Sequence, residues 1–436
     1  MKIGFISLGC AKNLVDSEMI LAMLENAGCE IIQDPSEADV IFVNTCGFIE
    51  PAKKESLETI EEMHSYGKKL IVTGCYAERY KEKLLKEMPY IDRIITLSDY
   101  PKIHLILNEI FNKDGLRFMA LKYENRLLAT SEFSPYVKIS EGCNNNCTYC
   151  AIPLIRGKFR SRPFDEVLKE CEKLIKNGAK EINLISQDTT RFGSDLNKEK
   201  KSLLPELLNE ISKISGVKMI RILYLYPDEI TDELIMTVKN NPLVVPYFDI
   251  PIQHISSLVL KRMNRRGDEN DIRNLFKKIR ELIPNAIIRT TYIVGFPGES
   301  ADDFEKLYNF TEEFKFDRLG VFTYSKEEDT AAYDFPDEIS ETVKQERLER
   351  IMKLQKRISR QKNKSLIGDI HKTLIENYDP ETLFYYGRSY AYAPDDIDGM
   401  IVFQSDKELN IGEYVDVKIS SFYGYDLIGD FIEGVE

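Results

Sequence analysis

Cys143-Asn-Asn-Asn-Cys147-Thr-Tyr-Cys150 gathers three thiols in one short loop, and three thiolates can hold a four-iron cluster while leaving its fourth iron open. A closed ferredoxin cluster uses four cysteines, commonly as C-x2-C-x2-C-x3-C-P, whereas the next cysteine after Cys150 is Cys171. The spacing therefore predicts a reactive iron rather than electron storage alone. A structural zinc site is the alternative. It needs four closed ligands, and the chain's only histidines are His64, His104, His254 and His371.

A second set lies upstream. Cys10, Cys46 and Cys75 each end an apolar run: Lys2-Ile-Gly-Phe-Ile-Ser-Leu-Gly-Cys10, Asp39-Val-Ile-Phe-Val-Asn-Thr-Cys46 and Lys69-Leu-Ile-Val-Thr-Gly-Cys75. Such runs read as buried strands, with helical patterns between them beginning near Asp16 and Pro51. Strands separated by helices are parallel, so the three cysteines gather on the carboxyl edge where open α/β sheets bind ligands. A small buried core residue is the ordinary fate of a single cysteine. Three at one topological position favour a ligand set. Cys171, on the stripe Val167, Leu168, Cys171, Leu174 and Ile175, and Cys29, after a helix-ending Gly28, read instead as core filling. His254 is open between a place beside chemistry and a hydrogen-bonded structural role.

The first motif, with an aromatic residue at Tyr149, resembles the radical S-adenosylmethionine (SAM) superfamily. The resemblance implies that SAM chelates the open iron and that one electron releases a 5′-deoxyadenosyl radical, which takes hydrogen from an unactivated carbon. The upstream segments Gly9-Cys10-Ala-Lys-Asn-Leu-Val-Asp-Ser-Glu18, Asn44-Thr-Cys46-Gly-Phe and Thr73-Gly-Cys75 resemble the amino-terminal domain of the methylthiotransferases. There the three cysteines hold a second four-iron cluster, which carries the inserted sulfur. The implied cofactors are thus two [4Fe-4S] clusters and SAM.

The elements that must position these residues fall into three parts. Residues 1–120 alternate strand and helix as in a Rossmann-like, doubly wound layer that would hold the auxiliary cluster, and Glu124 to Pro135 reads as a linker. The second part, residues 129–364, carries strand candidates at Tyr136–Ser140, Glu181–Ser186, Met219–Tyr226, Val244–Ile250, Ala286–Val294 and Leu319–Tyr324. These are six βα units, a partial barrel with its chemistry at the strands' carboxyl ends. Gln187 follows the second strand, Tyr224 and Tyr226 the third and His254 the fourth. Gly295-Phe296-Pro297-Gly298 ends the fifth, where glycines let a backbone approach a flat ligand. In the resembled superfamily this turn borders the adenine of SAM. Arg156, Arg160 and Arg162 follow the cluster loop, and either meet a carboxylate of SAM or substrate or are simply solvated.

The third part, residues 365–436, breaks into five short strand candidates, the last from Asp426 to Gly434, and reads as a small antiparallel β-barrel resembling the TRAM module of the methylthiotransferases. From Leu366 on there are fifteen acidic against four basic residues, a net −11 of the chain's −13. An acidic barrel repels phosphates, so a basic protein fits better than RNA as its partner, although RNA contact stays open. A merely solubilising acidic surface gives the same count.

Within the family, Ile185-Ser-Gln-Asp-Thr-Thr190, Asp249-Ile-Pro-Ile-Gln-His254, Phe322-Thr-Tyr-Ser-Lys-Glu-Glu328 and Gly387-Arg-Ser389 resemble the branch that modifies an aspartate of protein twelve of the small ribosomal subunit. The segment Tyr392-Ala-Pro-Asp-Asp-Ile-Asp-Gly399 departs from that branch's form. The resemblance implies methylthiolation of the aspartate β-carbon on the ribosomal protein or subunit; the alternative is a transfer-RNA adenosine methylthiotransferase. A one-electron donor such as flavodoxin or ferredoxin is implied as a second partner. Eight cysteines in 436 residues are too few for a disulfide scaffold, and no apolar run reaches membrane-spanning length. The expected location is cytoplasmic, with no membrane partner.

Overall fold

Alternation within strand β3 (Val40–Thr45) sends Val40 and Phe42 to one face and Ile41 and Val43 to the other, and both faces are covered. Such a strand belongs in the middle of a parallel sheet. The computed structural model, which describes residues 1–112, 115–120 and 122–433, places it there. With β1 (Lys2–Ser7), β2 (Glu30–Ile32), β4 (Lys69–Gly74) and β5 (Arg93–Ile95) it forms a five-stranded parallel sheet in the order β2-β1-β3-β4-β5. That is a doubly wound order whose switch point lies between β1 and β3. Helix α1 (Ala11–Asn26) covers one face and α2 (Glu50–Ser65) the other. The first helix begins five residues before the expected Asp16, because Cys10 is already its N-cap.

The second unit is an open parallel barrel in two halves. Strands β6 (Tyr136–Lys138), β9 (Glu181–Ile185) and β10 (Met219–Ile222) form one; β11 (Tyr247–Asp249), β12 (Ile287–Val294) and β13 (Arg318–Thr323) form the other. A parallel bridge from Ile220 to Val244 joins them. Between β6 and β9, the short pair β7 (Ser140–Glu141) and β8 (Arg160–Ser161) brackets the cysteine loop. Two strands are shorter than their apolar runs. The third stops at Ile222, since Tyr224 takes φ +63° and gives its N–H to the Asp249 side chain. The fourth begins only at Tyr247, after Pro246, which has no N–H to donate.

Helix packing closes the outside of this barrel around Val137, Leu184, Ile220, Phe248, Ile288 and Val321, with Cys171 fully buried among them. Cys29 is likewise buried in the first unit's core. Along β12 burial alternates, so Arg289, Thr291 and Ile293 share the less covered face. The expected linker is no free tether: Arg126 is buried, and it pairs with Glu18 of α1 and with Glu170 of the barrel.

The last unit is a closed barrel of β14 (Ile370–Asp379), β15 (Phe384–Arg388), β16 (Ile401–Gln404), β17 (Tyr414–Tyr423) and β18 (Asp426–Ile432). Its pairings are antiparallel except β16 with β18, which is parallel. Gly434 of the expected last strand lies outside the described residues. Among the described residues no helix is long and apolar enough to cross a membrane.

Candidate functional site

Cys10, Cys46 and Cys75 follow β1, β3 and β4, three neighbours in one parallel sheet, and so share its carboxyl edge. Glycines let their loops converge. Gly74 has φ +95°, and a side chain there would put its Cβ 2.6 Å from the Thr45 nitrogen. At Gly9 (φ +91°) a Cβ would come within 3.1 Å of the Cys46 Sγ. Polar side chains then fix the loops: Asn13 donates to the carbonyls of Leu8 (2.7 Å) and Thr45 (3.2 Å), and Ser56 both receives the Cys46 N–H and donates to its carbonyl. Burial pushes the Cys75 thiol up to about 12; Arg156 opposes this, and the neighbouring Cys10 and Cys46 add to it. Asn13, on the turn after Cys10, also stands with its Oδ1 3.9 Å from the Cys75 Sγ.

The barrel set sits on the loop after β7. Asn145 donates to Asp188 at 2.8 Å, and Thr148 is held on both sides, its N–H to the Met263 carbonyl and its hydroxyl to that of Arg262. Around Cys147 stand the Tyr226 hydroxyl, 3.7 Å from Sγ, and an Arg265 guanidinium nitrogen at 3.8 Å. Burial pushes the Cys143 thiol up to about 11, and Cys147 adds to it. All six thiols are free. Among the described residues no three His, Cys, Asp or Glu side chains close on a point that could hold a single metal ion. A four-iron cluster held by three cysteines takes one thiolate on each of three separate irons rather than three on one ion, and two triads of free thiols with donors turned toward their sulfurs suit that group.

Of the remaining candidates, Tyr149 and Phe296 come together edge to face, with centroids 6.4 Å apart, and Arg265 donates to the Tyr149 hydroxyl at 3.2 Å. Gly295 and Gly298 take φ +72° and +81°, and the N–H groups of Gly295 and Phe296 point to the buried Glu299 carboxylate. Pro297 lies within this turn. Gln187 stands apart from it: its amide nitrogen donates to Glu141 at 2.8 Å, while its buried Oε1 has no partner among the described residues. That free acceptor fits a ligand donor.

His254 takes the structural role. It is fully buried, its Nδ1 accepts from the Ser256 N–H at 2.9 Å, and burial pushes its pKa down to about 3. Arg156 neither waits for an external carboxylate nor is solvated. It pairs with Asp16 and Glu141, reaches the Asn13 side chain at 3.1 Å and the Cys75 Sγ at 3.1 Å. Glu141 in turn holds Lys138 and Gln187. One arginine on the barrel thus touches the upstream cysteine set and, through Glu141, the strand end beside the barrel set. Sequence reasoning missed Lys12, Asp16 and Arg265 as site residues; the first two were visible only as letters inside the Gly9–Glu18 segment. The cleft between the two units, about 870 Å³, is lined by Asp16, Tyr100, Lys138, Glu141 and Arg156.

Comparisons with known proteins agree with this architecture. Residues 2–96 match the uncharacterized protein family UPF0004, 137–311 the radical SAM superfamily and 367–432 the TRAM domain. Among solved structures, the radical S-adenosylmethionine methyltransferase TsrM from Kitasatospora setae, with cobalamin and a [4Fe-4S] cluster bound, shares the fold at TM-score 0.55 and 13% identity, over 76% of this chain and 77% of that one. The chain belongs to the radical SAM methylthiotransferases. Within them it belongs to the ribosomal protein uS12 methylthiotransferase RimO family. It is 49% identical to the protein of that name from Acetivibrio thermocellus, over 99% of this chain and 98% of its relative, and 48% identical to that from Aquifex aeolicus, over 100% and 98%.

Proposed function

We propose that this chain adds a methylthio group to the β-carbon of an aspartate in ribosomal protein uS12, using SAM and two [4Fe-4S] clusters. The observation that carries the reading is Arg156, which joins Cys75 of the upstream triad to Glu141 at the strand end that leads into the barrel triad, in a chain that matches its family end to end. Cys143, Cys147 and Cys150 hold the cluster that engages SAM; Cys10, Cys46 and Cys75 hold the auxiliary one. When bound, these groups supply hydrogen abstraction from an unactivated carbon and the sulfur and methyl that replace the hydrogen.

The chain's own residues do the positioning. Tyr149, Gly295, Phe296, Pro297 and Gly298 form a wall against which the flat part of SAM lies, and Gln187 offers its free Oε1 to a donor of the same ligand. Arg265 and Tyr226 face Cys147 and offset thiolate charge, as Arg156 does at Cys75. A flavodoxin or ferredoxin supplies the electron. The acidic surface of the last barrel receives the basic ribosomal protein, and the TRAM match leaves RNA contact to the same unit.

Anaerobically reconstituted protein should contain about eight irons per chain. Replacing Cys143, Cys147 and Cys150 together by alanine should halve the iron and abolish SAM cleavage. Replacing Cys10, Cys46 and Cys75 should halve the iron and leave reductive SAM cleavage. Mass spectrometry after incubation with SAM, sulfide, reductant and either small subunits or transfer RNA decides the substrate: a methylthio mass on RNA alone would overturn the reading.

A further inference from the structure

Lys12, two residues after Cys10, is 8% exposed, yet no carboxylate pairs with its ammonium among the described residues. Its Nζ lies 3.1 Å from the centroid of the Tyr224 ring. The nearby acids are engaged elsewhere. Asp16 takes Lys138 and Arg156, Glu141 takes the same two, and Asp249 receives the Tyr224 N–H at 2.9 Å and stands 3.9 Å from Arg289. Against the ammonium stand the Tyr224 side chain and, at longer range, Cys10 and Asp249, but among the described residues no carboxylate lies within ion-pair distance, so its donors are open to a ligand anion.

The ammonium's position says which anion. Lys12 stands on the first turn of α1 beside Cys10, and Tyr224, whose ring it covers, follows barrel strand β10. It therefore bridges the two units where the proposed reaction joins sulfur to carbon. We infer that Lys12 binds the side-chain carboxylate of the target aspartate. The inference rests on the function proposed above and deepens it. The carboxylate is one bond from the β-carbon, so an ammonium holding it sets that carbon beside the auxiliary cluster's cysteine edge. Tyr224, in a left-handed conformation at φ +63°, keeps its ring under the ammonium, so the cation is already in place when the substrate arrives. The same arrangement selects aspartate over asparagine, because the carboxylate gives the ammonium a charge-assisted hydrogen bond and the amide oxygen only a neutral acceptor.

The test is a cycle of four affinities measured on the full-length, cluster-loaded protein without reductant. Wild type and Lys12→Met are each titrated with ribosomal protein uS12 carrying the target aspartate or asparagine in its place. Lys12→Met should weaken binding of the aspartate form about ten- to a hundredfold and that of the asparagine form little. Lys12→Arg should keep most of the aspartate preference. Iron content and circular dichroism report whether each variant is intact, and Lys12→Gln repeats the measurement if the methionine protein does not fold. Equal weakening of both forms, or of neither, overturns the inference. So does a shift in the auxiliary cluster's midpoint potential with no change in aspartate preference, which would make the ammonium a counter-charge to the cluster alone. Failure of the wild type to bind uS12 in either form would instead strike the proposed function first, and the inference with it.

Discussion

Arg156 does at the scale of one residue what no element does alone. The residue is 5% exposed, and its guanidinium faces Asp16 of the first unit, Glu141 of the second and the Cys75 sulfur. Removing one partner of a buried charge pair costs about 3–5 kcal/mol, and here Asp16 and Glu141 would keep Lys138 as their one shared cation, which puts the loss toward the lower end. Arg156→Met should therefore loosen the first unit from the barrel, lowering the denaturant midpoint and exposing the 122–135 segment to protease. An unchanged midpoint would mean the network adds nothing net. His254 predicts a pH effect of definite sign. Its pKa is about 3 folded against 6.5 ordinarily, so below pH 6.5 the unfolded chain binds the extra proton. Stability from this residue is present above pH 6.5 and lost as pH falls toward 3, by about 2 kcal/mol between pH 7 and pH 5. Urea titrations should show that slope in wild type, and His254→Gln should flatten it. The cysteines were legible in sequence because their type is rare and their spacing diagnostic. Arg156 stood out beside the cluster loop but its role did not, since its partner Asp16 lies 140 residues away and no periodicity encodes such a pair.

Element by element, the chain places its chemistry by setting glycines at or just after strand ends, as at Gly9, Gly74 and Gly295. Gly74 closes β4, and its φ of +95° lies where a Cβ is strained even before the clash with Thr45 is counted. Gly74→Ala should thus move Cys75 away from Cys10 and Cys46. The expected result is loss of about half the iron, with SAM cleavage by the barrel set retained; full iron would show that the turn tolerates the side chain. The parallel run of the strands was readable because buried parallel strands are continuous apolar runs between helices, while their order in the sheet was not read. Strand ends were not. The run Met219–Tyr226 looks uniform, but a side chain from the neighbouring β11, Asp249, captures the Tyr224 N–H and ends the strand at Ile222. That capture also turns Tyr224 toward Lys12, so the misread boundary and the unforeseen contact have one cause.

Across the whole molecule, the acidic barrel is seated by charge as well as displaying it. Arg388 of β15 is buried against Glu181 of β9, Glu376 and the Ser134 hydroxyl, while Arg221 of β10 shares Glu181 and reaches the Tyr390 carbonyl. The departing segment Tyr392–Gly399 belongs to the same seam. Tyr392 lies under the Arg318 guanidinium, 4.4 Å from ring centroid to carbon, and Asp398 receives the Tyr247 hydroxyl and the Ala393 N–H. Net charge counted along the chain thus mixes two populations that only the fold separates. Asp398 is 6% exposed and structural, whereas Asp406 and Glu408 are exposed. Reversal at the two kinds of site should have opposite signatures. Asp406→Lys with Glu408→Lys should leave the melting temperature nearly unchanged, while slowing association with the basic ribosomal protein and reducing its salt dependence, since exposed charges act through a field screened within about 8 Å at physiological ionic strength. Asp398→Lys puts a third cation beside Arg289 and Arg318 in a buried seam and should lower the melting temperature. Association rates against ionic strength, read beside thermal melts, check both. If the exposed double variant associated as fast as wild type at low salt, the acidic surface would serve solubility rather than docking.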